Sequence, residues 1–296
     1  VKDNKITRCV SFKQEPWIRP YIENNTKFRT EAKDDFEKDL WKLMNNIIYG
    51  KSCENVRQHS SVMITNDPVK AIKYATKNTF KRGKCVDGLY YYEMFKSSIT
   101  FNKPVYVGCS ILDLSKLYMT NFHYGYMKEK YGDNARLLYS DTDSLVYNVK
   151  TNDLYQDMYD NHSEFDFSDM KNAMFNDYKN ENKKKLGKMK DETHGIPITE
   201  FCAISPKSYF FTVDDKEKKK LKGTQKCVVE KQITGSDYKS VLTGETTVQR
   251  TNTTFKSHHN TIFTCEMNKT ALSGFYDKMN ISDDGLSCLP YGYIPS

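Results

Sequence analysis

Tyr139-Ser140-Asp141-Thr142-Asp143-Ser144-Leu145-Val146-Tyr147 is the stretch on which the reading of this chain turns. Two carboxylates stand two residues apart, with Arg136-Leu137-Leu138-Tyr139 before them and Leu145-Val146-Tyr147 after. Side chains alternate faces in an extended chain, so Asp141 and Asp143 are expected to point the same way. Short β-favouring runs around a polar centre predict a hairpin that presents its acids at the turn. Two carboxylates held that close repel one another, and a hard divalent cation such as Mg²⁺, bound by oxygen ligands, relieves the repulsion. Paired ions of this kind activate the attacking oxygen and stabilise the leaving one in phosphoryl transfer. The tripeptide by itself favours a plainer reading, a solvated Asp-x-Asp turn, because aspartate favours turns for local reasons.

Working outward, the 296 residues amount to about two domains and suffice for a sizeable core. A net charge of +7 with 21 Tyr and 16 Phe suits an anionic partner with flat faces, as single-stranded or frayed nucleic acid is. The eight cysteines are scattered without a C-x-x-C pair, which argues against a zinc site or a disulfide framework and for a reducing compartment. No apolar run approaches the roughly 18 residues of a membrane span, and no signal peptide is evident. The chain opens on Val1, and its N-terminal side is expected to be missing.

Upstream, Pro16 and Pro20 argue against a regular helix in residues 1–26. Thr26 to Tyr49 predicts one amphipathic helix: Phe36, Leu40, Leu43, Met44, Ile47 and Ile48 recur at spacings of three and four, and Gly50 marks a stop. Lys38, Lys42 and Asn46 recur every fourth residue and form one polar stripe, whose plainer reading is a solvated face. Residues 61–102 predict a small mixed insert: a strand at Val62–Thr65, a helix started by Asp67-Pro68, a basic turn at Lys81-Arg82-Gly83-Lys84, and a strand at Gly88–Phe95. Ser110-Ile111-Leu112-Asp113 resembles a capping box for a helix ending near Gly132, in which His123 reads as an ordinary helix histidine. Downstream of the aspartates, residues 151–181 are acidic and read as irregular. Lysines alternate with short β-like runs in 182–192 and 205–234, a composition suited to a phosphate backbone or to a solvated loop. Residues 235–296 read as a small mixed region without a motif.

Three of these stretches, in this order, resemble the signature set of family B DNA polymerases. Lys42-x-x-x-Asn46-x-x-Tyr49-Gly50 resembles the fingers motif K-x-x-x-N-S-x-Y-G, Tyr139 to Ser144 the palm motif Y-G-D-T-D-S, and Lys207-Ser208-Tyr209 the K-x-Y motif that holds the primer end. The wider text is similar to the protein-primed branch, in particular to the polymerases of Maverick/Polinton transposons and related viruses. Ile47 stands where the motif has Ser and Ser140 where it has Gly, departures that bear on fine selectivity. No D-x-x-S-L-Y-P-like motif, the family's source of a further palm aspartate, is present, so the metal site is expected to be crippled and this chain alone to be weak or inactive as a polymerase.

The resemblance implies an α+β chain with a polymerase right-hand fold lacking the exonuclease domain and the first part of the palm. It divides the chain into an N-terminal remnant (1–25), a fingers helix (26–60), an insert (61–102), a palm (103–204), and a primer-gripping segment with thumb (205–296). It implies DNA-directed DNA polymerase activity with two Mg²⁺ ions, or Mn²⁺ in their place, on Asp141 and Asp143, the latter as the more direct ligand. Lys42, Asn46, Tyr49, Lys38 and Arg29, with Lys33, fall to the incoming nucleotide. Lys51, Lys207, Tyr209 and Lys222 fall to DNA. The implied partners are primer-template DNA, dNTPs and a terminal-protein primer, at a nuclear or viral replication site. Two other functions remain open on the residues: a catalytically inactive, transposon-derived DNA-binding remnant, and a glycosyltransferase that uses Asp-x-Asp to hold Mn²⁺ against a nucleotide-sugar. The second leaves the lysine stripe and the Lys-x-Tyr segment without a role.

Overall fold

A computed structural model describes residues 7–244, 246–258, 261–275, 278–282 and 288–290. The chain is α+β, with small antiparallel sheets and eight α-helices among the described residues. It separates into two units, residues 1–117 and 118–296.

The first unit opens with two helices, α1 (Arg19–Glu31) and α2 (Asp35–Ser52), where the apolar spacing predicts one beginning at Thr26. Pro20 lies in the first turn of α1, where a missing N–H costs nothing, and Pro16 lies ahead of the helix, so neither proline forbids it. The break comes at Ala32–Asp34: Asp34 turns extended to cap α2, and its carboxylate accepts the Glu37 N–H at 2.8 Å. Gly50 does not stop α2, which runs on to Ser52. Asn25, buried, donates to Asn45 at 2.9 Å, Tyr21 donates to the Met44 carbonyl, and Phe28 lies 4.7 Å from the Trp41 ring. The side of α2 that meets α1 therefore carries Trp41, Met44, Asn45 and Ile48, all half-buried. The rest of the expected apolar face stays exposed, with Phe36 at 76% and Leu43 at 57%.

A three-stranded sheet follows, β1 (Ser60–Thr65), β2 (Phe80–Val86) and β3 (Leu89–Phe95) in the order β1-β3-β2, with α3 (Pro68–Ala75) between β1 and β2. Asp67 caps α3 through the Val69 and Lys70 N–H groups, as its sequence predicts. The basic Lys81–Lys84 segment lies inside β2, not in a turn. The turn comes at Asp87-Gly88, where both residues have positive φ (49° and 78°), the backbone a two-residue hairpin demands. Gly83 faces Tyr92 across the ladder, and a Cβ there would sit 2.6 Å from that ring.

Helix α4 (Val105–Asn121) starts directly after Pro104, so Ser110 does not cap it. Its hydroxyl instead donates to the Tyr106 carbonyl one turn back. The division between the units falls within α4. In the second unit a π-helical stretch, Phe122–Lys128, and a last turn, α5 (Glu129–Tyr131), end at Gly132 with φ 56°. His123 bonds the Tyr147 hydroxyl at 2.8 Å, a satisfied helix histidine. The hairpin β4 (Ala135–Asp141) and β5 (Ser144–Val149) comes next.

After α6 (Leu154–Asp160) the chain is largely irregular, yet it encloses a core of Met158, Phe165, Phe167, Met170 and Phe175. Strands β6 (Glu200–Ser205), β7 (Ser208–Val213) and β8 (Lys216–Leu221) form a second three-stranded sheet. Helices α7 (Lys226–Gln232) and α8 (Gly235–Gly244) precede a long hairpin, β9 (Thr247–His258) with β10 (Thr261–Ser273). A short pair, β11 (Met279–Ile281) with β12 (Cys288–Pro290), closes the described chain. Phe210, Tyr238 and Val241, each fully buried, join Ile233 and Leu272 in the core on one face of the β6–β8 sheet. Residues 235–296 thus hold a helix and a hairpin that their composition does not announce.

Candidate functional site

Asp141 ends β4 and pairs with Ser144, so Thr142 and Asp143 form a two-residue turn. Thr142 takes φ 56°, a conformation that costs a β-branched residue roughly 1–3 kcal/mol and that clusters at functional sites. The Asp143 N–H donates to the Asp141 carbonyl at 2.6 Å, the Thr142 hydroxyl to the Asp141 carboxylate at 3.1 Å, and the Ser144 hydroxyl to the Asp141 carbonyl at 3.2 Å. Both acids thus sit at a hairpin turn, as the sequence predicts. What presents them is the left-handed Thr142, not the alternation of an extended strand.

A second turn, Pro206-Lys207, joins β6 to β7. Proline followed by a positive φ (63° at Lys207) is the pattern of a type II turn, usually completed by glycine. The Lys207 N–H donates to the Tyr139 hydroxyl at 2.8 Å, and Lys207 Nζ lies 2.6 Å from Asp141 Oδ2. The Tyr209 ring stands 4.9 Å from that of Tyr139, and Phe201 6.0 Å from it. Lys222, exposed just after β8, donates its backbone N–H to the Lys207 carbonyl at 3.0 Å. Five of the sequence-predicted residues, Asp141, Asp143, Lys207, Tyr209 and Lys222, therefore gather around two turns separated by 66 residues of chain.

Electrostatics separates the two acids. The Lys207 ammonium holds the Asp141 carboxyl below its ordinary range, with the Thr142 hydroxyl adding to the effect, and Asp141 raises Lys207 in return. Burial raises the Tyr209 phenol, and neighbouring Tyr139 and Asp141 add to it. Asp143 is exposed, and its carboxylate has no hydrogen bond or ion pair among the described residues. Two carboxylates on one turn offer the all-oxygen donors that Mg²⁺ prefers, and Mg²⁺ is commonly held by one or two carboxylates plus water and substrate phosphate. Among the described residues no group of three or more His, Cys, Asp or Glu is placed to hold a metal ion.

The other sequence-predicted residues belong to the first unit. Lys38, Lys42, Asn46 and Tyr49 are exposed along α2, with Lys38 paired to Asp35 at 3.0 Å. Lys51, near the end of α2, reaches Glu54 at 3.3 Å. Glu54 also takes Lys103 and His59, and these three partners hold it down to about 2. Arg29 lies on α1 and Lys33 in the break, so neither shares the helix of Lys42 as expected.

Sequence reasoning missed Tyr139 as the anchor of Lys207, and Phe201 and Phe211 as neighbours of Tyr209. The only signal for Tyr139 was its place at the head of the aspartate motif. The seven cysteines whose side chains are described are all free, and no described helix is long and apolar enough to cross a membrane. Compared with protein-family models, with curated proteins and with solved structures, the chain matches none.

Proposed function

We propose that this chain carries the fingers, palm and thumb portions of a DNA-directed DNA polymerase of family B, protein-primed type, which adds dNTPs to a primer 3′-OH on a DNA template. The observation that supports it best is the union of the two turns: Lys207 Nζ against Asp141 at 2.6 Å, and the Lys207 N–H on Tyr139. Those contacts join the two motifs that the reading assigns to catalysis and to the primer end.

In this reading Asp141 and Asp143 would hold two Mg²⁺ ions, which would supply charge neutralisation to a transferring phosphoryl group. The protein's own part is placement. Lys207 and Tyr209 hold the primer end beside the acids, and the Tyr139 hydroxyl fixes the Lys207 backbone so that its ammonium returns to one place. Lys42 and Lys38 on α2 meet the triphosphate as point charges, while Asn46 and Tyr49 line the nascent base pair. The β9–β10 hairpin belongs to the thumb.

Single-nucleotide primer extension with Mg²⁺ tests the reading. It is run with the 296-residue chain and with the chain extended by whatever its gene encodes upstream, each beside its Asp143→Ala variant. Extension that disappears with Asp143→Ala supports the proposal. No extension by either form, with DNA binding unchanged by the substitution, favours a catalytically inactive DNA-binding protein.

A further inference from the structure

The β9–β10 hairpin is anchored at one end. At its root Asn252, Ala271 and Leu272 are buried, and the two ends of α7 hold β9: the Gln225 amide donates to the Thr253 carbonyl at 2.7 Å, and Arg250 donates to the Gln232 carbonyl at 2.8 Å. Toward the tip the ribbon opens to water, with Phe255 76% and Ile262 73% exposed. A two-stranded ribbon with no third strand or helix behind it is marginally stable in water.

The two edges of the ribbon are unlike. In an antiparallel pair, opposed residues either exchange both of their backbone hydrogen bonds or turn those groups away from one another. The Thr253 carbonyl is taken by Gln225, so Thr253 turns outward, and Glu266 opposite it turns outward on the far edge. By alternation Ile262, Thr264 and Asn268 also present their N–H and C=O groups along that edge. Among the described residues none of these four bonds to backbone outside the hairpin. The β9 edge is blocked at Thr253 and carries Arg250 and Lys256 without an acid, whereas the β10 edge is open and balances Glu266 with Lys269. An open edge without net charge is a template for another strand.

We propose that β10 pairs antiparallel with β10 of a second copy of this chain, with the twofold axis at Cys265. That register sets Glu266 opposite the second copy's Thr264 and Asn268 opposite its Ile262, so all four outward residues of each strand find partners. Moving the axis to Glu266 would set two carboxylates directly opposite one another, and moving it to Thr264 would carry Asn268 past the end of the partner strand. With the axis at Cys265, Phe263 meets Met267, a ring against a thioether, and Lys269 faces Thr261. The two Glu266 carboxylates stand diagonally at an exposed seam, where water and salt screen them. Because each β9 edge is blocked, the pairing closes as a dimer and does not propagate as a fibre. The dimer stands on this hairpin alone and does not require that the aspartate turn transfer nucleotides.

One seam buries less than the roughly 1,600 Å² of a standard interface, so a reversible dimer with Kd on the order of 10 μM is expected. Sedimentation velocity of the 296-residue chain under reductant, from about 1 to 200 μM, reads it. The wild type is expected to pass from monomer to dimer with no larger species. Thr264→Pro removes an outward N–H that the β9–β10 ladder does not use, so the hairpin is kept while the dimer weakens at least about tenfold. Phe255→Pro makes the same change on the β9 edge and is expected to leave Kd within about twofold. Should either proline variant melt lower than the wild type, crosslinking decides. Oxidised glutathione takes two electrons and two protons from a pair of Cys265 thiols and leaves as two reduced molecules. Residues of a non-hydrogen-bonded pair have Cα atoms about 4.5 Å apart, within reach of a disulfide. Peptide mapping is expected to show Cys265 joined to Cys265 as the main link between copies, and Cys265→Ser to keep the reversible dimer. A monomer at every concentration, growth beyond the dimer, equal weakening by Phe255→Pro, or links through other cysteines alone would each overturn the proposal. Primer extension is scored separately, so failure of the dimer and failure of the polymerase reading are distinguishable.

Discussion

Helix α2 and the paired turns of the second unit hold their candidate site residues in opposite ways. Along α2, Lys42, Asn46 and Tyr49 are set by helical spacing alone and stand exposed. At the turns, Asp141, Lys207 and Tyr139 hold one another through side-chain contacts and two left-handed backbone residues, Thr142 and Lys207. The first arrangement displays charge for a partner to organise. The second is organised before any partner arrives, and preorganised groups lose less on reaching a transition state. On the proposed polymerase reading, the difference predicts that substitutions at the turns cost catalysis and those on α2 cost nucleotide affinity, in whichever form of the chain extends a primer.

The largest effect should come from the acids. Asp141→Ala and Asp143→Ala are each expected to lower the rate of nucleotide addition by roughly a thousandfold or more, since they remove several kcal/mol of transition-state stabilisation. DNA affinity, read by anisotropy, should stay within a few-fold. Next, Lys42→Ala should raise KM for dNTP about tenfold with a smaller change in kcat, the sign of a point-charge contact made in ground and transition states alike. A fall in kcat without a change in KM would break the comparison by placing Lys42 among the preorganised groups. Tyr139→Phe removes the acceptor of the Lys207 N–H and should cost about 1 kcal/mol in urea unfolding, with a lower kcat. The smallest effect is expected at Thr142→Gly. Relief of the left-handed strain, roughly 1–2 kcal/mol, is partly offset by about 0.5–1 kcal/mol of glycine entropy, so stability should rise slightly. Nucleotide addition should fall all the same, because the freed turn no longer holds its acids.

The pair's response to pH follows from the direction of each shift. Asp141 titrates below its unfolded value, so the stabilisation it gives is present above about pH 4 and is lost as pH falls through the lowered folded value. Lys207 titrates above its unfolded value, so its share is complete below about pH 10 and is lost as pH rises through the raised folded value. The Lys207 amide resonance should therefore hold steady between those limits and move beyond them. A midpoint near neutrality would contradict the ion pair.

How far the sequence was legible also divides along this comparison. The aspartate hairpin and the Asp67-Pro68 helix start were readable because local rules, strand composition and capping, decide them. The break between α1 and α2 was not, because a continuous period of three and four hid the capping Asp34 inside an acidic run. The same period pointed to a core face that holds only in part: Met44 and Ile48 are half-buried, while Phe36, Leu40, Leu43 and Ile47 stay exposed. Lys81–Lys84 looked like a turn by composition, whereas Asp87-Gly88 supplied the positive φ pair that a tight hairpin requires. The β9–β10 hairpin escaped because threonines and polar residues fill both strands and leave no alternation to read. At the site, the acids and the Lys-x-Tyr segment were legible as separate motifs. Their meeting was not, since it rests on Tyr139 reaching Lys207 across 68 residues.

Mn²⁺ relaxation tests most directly whether the aspartate turn, with Lys207 beside it, binds a divalent cation as proposed. Substoichiometric Mn²⁺ is added to the isotope-labelled chain and the loss of backbone amide signals is followed. The account predicts that the amides of Thr142, Asp143, Lys207 and Ser208 broaden together at one low Mn²⁺ concentration, and that Asp143→Ala abolishes the effect at both turns. Broadening confined to the acidic stretch between Asp153 and Asp169, or at the aspartate turn without Lys207, would contradict it.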